Sequence, residues 1–387
     1  MYFFEWGSWV MKLEPEEARK DDHKLEKKLG TKRKLPYASE DDEEQADARI
    51  CVSQTPKSRG PVYVFNDTSL EIRSGTLEAK RGLISIISMS IIALILIEAG
   101  LCVKSFMHLI EHLSSPKKPS YWQHIYPIIF LGTLAISKSY LYIRYGLRFS
   151  RLEIFTSRHL LIRFNRKTQQ VYLHRPSYCG GIVTLPWKGV TSSGASEKTA
   201  IASGIGVPLF LYWSPRVTGT LHPEGAWVGK AGNNQAELRD EWEFIRRFMD
   251  EGPQGLPRPR ITSHFPWPWQ AFTPQFEGLT HYFRRASRTT KVGLLLICPA
   301  FLIIGLGHWL SLLLCWKPRW PKLIRQAGLP GKPIPPLTTL ADRPPHIQER
   351  LRANAHLWTV RPGKRPERKT GATFRRRQPK PNNSEQS

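Results

Sequence analysis

A chain of 387 residues with 57 Lys and Arg against 32 Asp and Glu carries a formal charge of +25, and its pI is about 10.1. The length allows two or three domains, and a mean hydropathy of −0.36 excludes a chain lying mostly in lipid. The five scattered cysteines form no CxxC pair, which excludes a zinc-ribbon or disulfide scaffold, and the charge points to nucleic acid or an anionic lipid surface as partner.

The opening MYFFEWGSWV is apolar but short and has no basic region before it, so it does not read as a cleavable signal peptide. Met11 is a candidate start, with the first ten residues read from upstream. Residues 1–60, dense in Lys, Glu and Asp, are expected to be a disordered charged N-terminal region. Residues 61–80 form a short β segment: PVYVFNDTSLEIR alternates apolar and polar residues around a turn at Asn66-Asp67.

Residues 81–145 carry two apolar stretches read as a transmembrane hairpin, with spans at 83–103 and 125–143. Tyr121, Trp122, Tyr126, Tyr140, Tyr142 and Tyr145 flank the second span as interfacial anchors. Glu98 and Lys138 are the ionisable groups inside the spans; each lies toward a different membrane face, which predicts opposite snorkelling rather than pairing. His108, Glu111 and His112 match the H-x-x-E-H pattern of inverted zincins, with both histidines on one helical face. The SSPKKPSYW that follows supplies no third ligand, so the polar end of an interfacial helix is the plainer reading.

From residue 146 to 253 a period of two predicts a β-rich domain. A hairpin spans Arg163–Leu173, further strands lie at Ile182–Trp187 and Val207–Trp213, and an amphipathic helix at 235–250 closes the domain. On that helix Leu238, Trp242, Ile245 and Met249 make one apolar stripe. Gly204-Ile205-Gly206 is no phosphate loop, because neither the Lys-Ser/Thr pair nor a helix follows. Residues 254–291 read as a Pro/Trp-rich linker and 292–316 as a third transmembrane or re-entrant segment, with Pro299, Gly305 and Gly307 as kink positions. Residues 317–387, with 17 Lys and Arg against four Asp and Glu, are expected to be a basic disordered tail. Its stretch RPGKRPERKTGATFRRRQPK has no interleaved aromatic other than Phe374, so nucleic acid is disfavoured.

Charge bias puts the hairpin tip outside and the β domain in the cytoplasm, and a re-entrant third segment would keep the basic tail there too. The fold class is therefore an α+β membrane protein. Its parts are an N-terminal transmembrane helical hairpin, a pleckstrin-homology-like β-rich domain closed by one amphipathic helix, and a C-terminal apolar helix. Trp187 and Trp242 are its structural anchors. Arg163, Arg166 and Lys167 are candidate lipid- or partner-binding residues, Arg163 and Arg166 being read as sharing one face opposite Phe164.

The series FNRKTQQVYLHRP, GGIVTLPW and EWEFIRRFMDEGP resembles a bacterial membrane-protein family known as domain of unknown function 6708. The likeness runs from about Pro61 to Pro321 and takes in VFNDT before the hairpin and PRWP after the third segment. It implies two N-terminal spans, a cytoplasmic β-rich domain, a further apolar segment and no assigned activity. It also implies genes near type VI secretion or polymorphic-toxin loci. The tail beyond about Gly331 departs from the family, which ends shorter and more acidic.

The function expected is that of a non-enzymatic adaptor, accessory or immunity protein of a bacterial inner membrane. Its partners would be the lipid bilayer and a toxin or secretion-system subunit, with no cofactor. The alternatives are a membrane-acting, depolarising effector and a membrane metallohydrolase built on HLIEH.

Overall fold

The computed structural model describes residues 2–14, 46–47, 51–75, 81–113, 122–193, 207–232, 235–276, 283 and 286–358. Most of residues 15–60, Gly204-Ile205-Gly206 and residues 359–387 lie outside the described residues. Described helices α1 (Phe3–Leu13), α2 (Leu83–Leu113) and α3 (Trp122–Leu141) precede most of the sheet. A π-helical turn, Tyr142–Gly146, joins α3 to α4 (Leu147–Ser150).

The strands are β1 (Ala46–Asp47), β2 (Val62–Phe65), β3 (Ser69–Ser74), β4 (Leu160–Asn165), β5 (Gln170–His174), β6 (Val183–Pro186), β7 (Val190–Ser193), β8 (Val207–Trp213) and β9 (Glu224–Gly232). They form one antiparallel sheet in the order β1-β7-β8-β9-β3-β4-β5-β6, with β2 paired to β3. The helical turn α5 (Pro215–Thr218) links β8 to β9, and α6 (Gln235–Asp250) follows the last strand. Then come α7 (Pro268–Phe276), α8 (Arg288–Leu314), α9 (Lys322–Gln326), α10 (Pro345–Ala353) and α11 (Ala355–Trp358).

The segment at 61–80 is not a separate element. Its strand β3 pairs along its length with β4 (Ser69 opposite Asn165, Ser74 opposite Leu160) and touches β9 at Ser74–Val228. Helices α2 and α3 are therefore inserted between two neighbouring strands. Asn66 makes the β2–β3 turn, its Oδ1 accepting from the amides of Thr68 and Ser69 at 3.0 and 2.7 Å.

The core lies between the sheet and α6. Leu238, Trp242, Phe244, Ile245, Phe248 and Met249 meet Phe164, Trp187, Leu211 and Trp213, all buried. Trp187 packs 5.6 Å from Trp242 and edge-on to Phe164 at 6.1 Å. Each such side chain contributes about 1.5–3 kcal/mol relative to exposure.

Three helices are long and apolar enough to cross a membrane: Leu83–Glu111, Trp122–Ser150 and Arg288–Leu314. The stretch from Tyr145 to Ser150 does not begin the sheet as its aromatic spacing suggested; it continues the helix through the π-helical turn. Gly146 permits that turn, since a methyl group there would fall 2.5 Å from the Tyr142 ring. Nor is the third apolar segment broken. α8 runs 27 residues through Pro299, and Gly305 and Gly307 are contact points with neighbouring elements. A methyl group on Gly305 would meet Phe272 of α7, and one on Gly307 would meet Ile86 of α2. The linker 254–291 accordingly contains a helix, α7, which lies antiparallel to the C-terminal half of α8. Phe276 faces Phe301, and Pro266 accepts from Trp309. The chain thus leaves the sheet through α7 and returns to it at the end of α8.

Two further expectations are corrected. Residues 2–14 are folded: Tyr2, Trp9 and Lys12 are buried, and the Tyr2 amide donates to Leu152 O at 3.0 Å. Residues 317–358 are folded as well. Trp320, Ile324 and Ala327 pack on Tyr63, Leu161 and Tyr172 of the sheet, and Thr338 exchanges bonds with Thr184 on the outer edge of β6. That strap occupies an edge that would otherwise be free to pair with another chain. Apolar side chains recurring among the basic ones supply the contacts that a charge count overlooks.

Candidate functional site: the junction of sheet and apolar helices

The segment 151–159, which joins α4 to β4, meets the ends of α2 and α8. Glu153 is fully buried at the start of α2. Its Oε2 accepts from the amides of Gly82 (3.0 Å) and Ser85 (2.9 Å) and from the Ser85 hydroxyl (2.9 Å). A carboxylate there satisfies orphan donors and opposes the positive end of the helix dipole.

Arg158 does the converse at the end of α8. Its guanidinium donates to Leu312 O at 2.8 Å, Cys315 O at 3.0 Å and His264 O at 2.6 Å, placing a cation at the negative end of the helix.

Arg81 completes the junction from the chain that leaves β3. Nearly inaccessible, it donates to Ser311 Oγ (2.8 Å), Arg158 O (2.6 Å) and Glu153 O (3.2 Å). Ser311 and Cys315 in turn donate to Glu153 O, and Ser88 bonds Ser150 at 2.7 Å. Gly82, at φ +115°, lies against the backbone of α8: a methyl group there would fall 2.5 Å from His308 N and Ile304 O. Gly82 and Gly307 thus let two helices touch backbone to backbone. Tyr2 closes the junction from α1, its hydroxyl bonded to Ser157 O and burial pushing its pKa well above 10.

Deeper along the helices, Lys138 is bonded to Glu98, which is 6% exposed. This overturns the snorkelling expectation. The helices extend past the apolar stretches, to Leu113 and Ser150, which brings both residues near mid-length and level with each other.

A second charged cluster joins the two described ends of the chain. Glu224 of β9 is bonded by Arg175 at 2.7 Å and faced by Lys12 at 3.5 Å. Burial alone would raise the Glu224 pKa, but Lys12 and Arg175 outweigh it and hold the carboxyl well below its usual range. Burial lowers Lys12 to about 8, and burial with Lys12 nearby lowers His222 to about 3. Arg343 of the tail reaches Gly180 O, and Asn354 donates to Lys12 O at 2.9 Å.

Arg163, Arg166 and Lys167 are not brought together into one site. Arg163, 13% exposed, bonds Glu71 at 3.1 Å and lies 5.6 Å from the centre of the Trp320 ring. It is the seat of the tail rather than a ligand-binding cation. Arg166 does not share its face: with odd spacing from Arg163, it lies at the C-terminus of α6 beside Gly252, while Lys167 is exposed at the turn. His108 and Glu111 bond each other at 3.2 Å on the exposed end of α2, and the His112 side chain lies outside the described residues. Among the described residues no three His, Cys, Asp or Glu side chains are grouped to hold a metal. Glu153, Arg158 and Arg81 escaped the sequence reading because no local motif joins residues 72 and 77 positions apart.

Residues 139–328, which include α4, Arg158, the sheet from β4 and all of α8, match a family of unknown function, DUF6708. Residues 139–328 of the chain therefore carry this family's domain. The match covers Glu153, Arg158 and Ser311 but begins after Arg81 and α2, so it takes in one side of the junction. No curated protein and no solved structure matches the chain.

Proposed function

We propose that this DUF6708-containing protein is a non-enzymatic adaptor, accessory or immunity protein of a bacterial inner membrane. In this reading α2 and α3 form a transmembrane hairpin, α7 and α8 a second excursion, and the sheet with α6 a pleckstrin-homology-like module on the cytoplasmic side. The observation that carries it is the insertion of two apolar helices between paired strands β3 and β4, with Glu153 and Arg158 fixing helix ends to the sheet. Such an arrangement presents a rigid domain at a membrane surface. A four-strand run β3–β6, a three-strand run β7–β9 and a closing helix support the pleckstrin-homology-like reading. The basic tail packs on the sheet, which agrees with its retention on the same side. The partner expected from the family resemblance is a toxin or a secretion-machine subunit.

The test is purification of tagged full-length protein from detergent-solubilised host membranes, with mass spectrometry of what co-elutes. Reproducible recovery of a toxin or secretion subunit, lost when β7–β9 surface residues are changed, supports the proposal. Recovery without any protein partner counts against it. The second reading, a membrane-acting effector, draws on the Glu98–Lys138 pair at mid-length of the helices. Inducing the protein alone separates the two: an adaptor leaves the membrane potential intact, an effector collapses it.

A further inference from the structure

The helix that ends at Ser150 carries an arginine stripe where it reaches the sheet. Arg144 lies in the π-helical turn, Arg148 in α4 and Arg151 at its C-cap in helical backbone; spaced four and three apart, they fall on one side, and all three are exposed. Among the described residues none has a carboxylate partner within 4.0 Å; Arg144 lies over the Tyr145 ring at 5.5 Å. Every other cation at the junction is used internally: Arg81 and Arg158 are spent on helix ends and backbone carbonyls.

Their depth is set by geometry. Trp122 begins the helix, and Arg144 lies about 33 Å along it at 1.5 Å per residue. That is one hydrocarbon thickness of about 30 Å, with Trp122 marking one boundary and Arg144 and Tyr145 the other. Arg148 and Arg151 then lie about 6 and 10 Å farther, at headgroup depth. Aromatic rings accompany them: Tyr145 and Phe149 are more than half exposed. Phe155 takes φ +55°, a conformation costly for a bulky residue, and its ring is 41% exposed.

We propose that Arg144, Arg148 and Arg151 form a contact for the headgroups of anionic glycerophospholipids, with Tyr145, Phe149 and Phe155 set into the boundary beside them. The proposal rests on the bilayer reading of the helices. The contact selects phosphatidylglycerol over phosphatidylcholine in the surrounding lipid and seats the sheet domain against the membrane.

The test uses the full chain reconstituted in phosphatidylcholine vesicles. Tryptophan fluorescence transfer is measured to a trace of dansyl-phosphatidylglycerol or dansyl-phosphatidylcholine. At about 1 kcal/mol for each arginine near an anionic lipid surface, the three set a ceiling of about a hundredfold on the preference for the anionic tracer, which high salt abolishes. R144Q/R148Q/R151Q is expected to bring the preference to about one, while R325Q/R350Q/R352Q, which removes the same charge from the tail, leaves it unchanged. Equal transfer to both tracers by the wild-type chain, or a preference the control triple removes equally, overturns the proposal. If the arginine triple fails to insert, the salt dependence of the wild-type preference decides. A chain that floats with vesicles but shows no preference refutes the headgroup contact alone; one that does not float refutes the bilayer reading with it.

Discussion

Glu241 offers the sharpest test of the packing between α6 and the sheet. It is fully buried, and its carboxylate meets the backbone of Arg59 and Gly60 but no hydrogen-bond donor of good geometry among the described residues. Burial pushes its pKa from the usual 4.5 to about 8; the Arg59 charge and the backbone of Arg59 and Gly60 pull the other way and lose. Because the folded value is raised, the folded state holds a proton that the unfolded chain releases above 4.5. Stability from this group is therefore complete below 4.5 and falls as pH climbs to about 8, above which the loss is constant. The loss is about 1 kcal/mol at pH ~5 and about 4 kcal/mol at pH ~8. Glu241→Gln keeps the shape and abolishes the titration. In detergent solution, near-ultraviolet circular dichroism follows the Trp187–Trp242 environment during thermal unfolding. The variant should melt on the order of 10 °C higher than wild type at pH ~8 and nearly level with it at pH ~5. A variant that melts lower than wild type at the higher pH would refute the reasoning, because Glu241 would then be ionised and paired.

Four more outcomes follow from the same contacts. Gly229→Ala should unfold the sheet domain, by about 3 kcal/mol or more, since its methyl group would sit 1.8 Å from Glu241 Oε1 at a φ of +71°; limited proteolysis reads it. Glu153→Ala should destabilise by about 3–5 kcal/mol by stripping two buried amides and a hydroxyl of their acceptor, with Glu153→Gln costing less, measured as melting temperature in detergent. Lys138→Met leaves Glu98 buried without its cation and should cost several kcal/mol, while Lys138→Met with Glu98→Gln should recover most of it; additive losses in that cycle would show the two are uncoupled. Trp320→Ala should free the tail from Tyr172, His174 and Arg163 at a cost of about 3–5 kcal/mol, seen as faster proteolysis after Trp316.

What could be read from the sequence was whatever repeats locally. The stripe Leu238, Trp242, Ile245 and Met249 predicts α6 with the ends observed, and the three apolar stretches announce themselves by length. Strand β9 (EGAWVGKAG) lacks the alternation that marks a strand, because Gly225 and Gly229 stand where close packing excludes a side chain. The Glu98–Lys138 pair was misjudged for a geometric reason: spans trimmed to their apolar letters put each residue near an end, whereas the full helices put both near the middle. The first ten residues looked foreign because their partners, Leu152, Ser157 and His222, lie far along the chain.

Among the described residues, Arg81, Glu153 and Glu224 are buried charged groups that sit where separate stretches of the chain meet. Removing a charge from water costs several kcal/mol, recovered only when its hydrogen bonds are complete, so such groups contribute more to a defined arrangement than to stability. The contact of Gly82 with Gly307 alone would let α2 and α8 slide, because a smooth backbone crossing has no preferred register. Glu153 removes that freedom: its three donors all lie in the first turn of α2, and its own carbonyl is held by Arg81, Ser311 and Cys315. Arg158 locks the end of α8 to the same nine-residue segment, whose next residues are β4. A shift of either helix along its axis must therefore break charged bonds or move the strand that carries Phe164 against Trp187. The sheet and the ends of both helices are thus joined by hydrogen bonds through one short segment, residues 151–159.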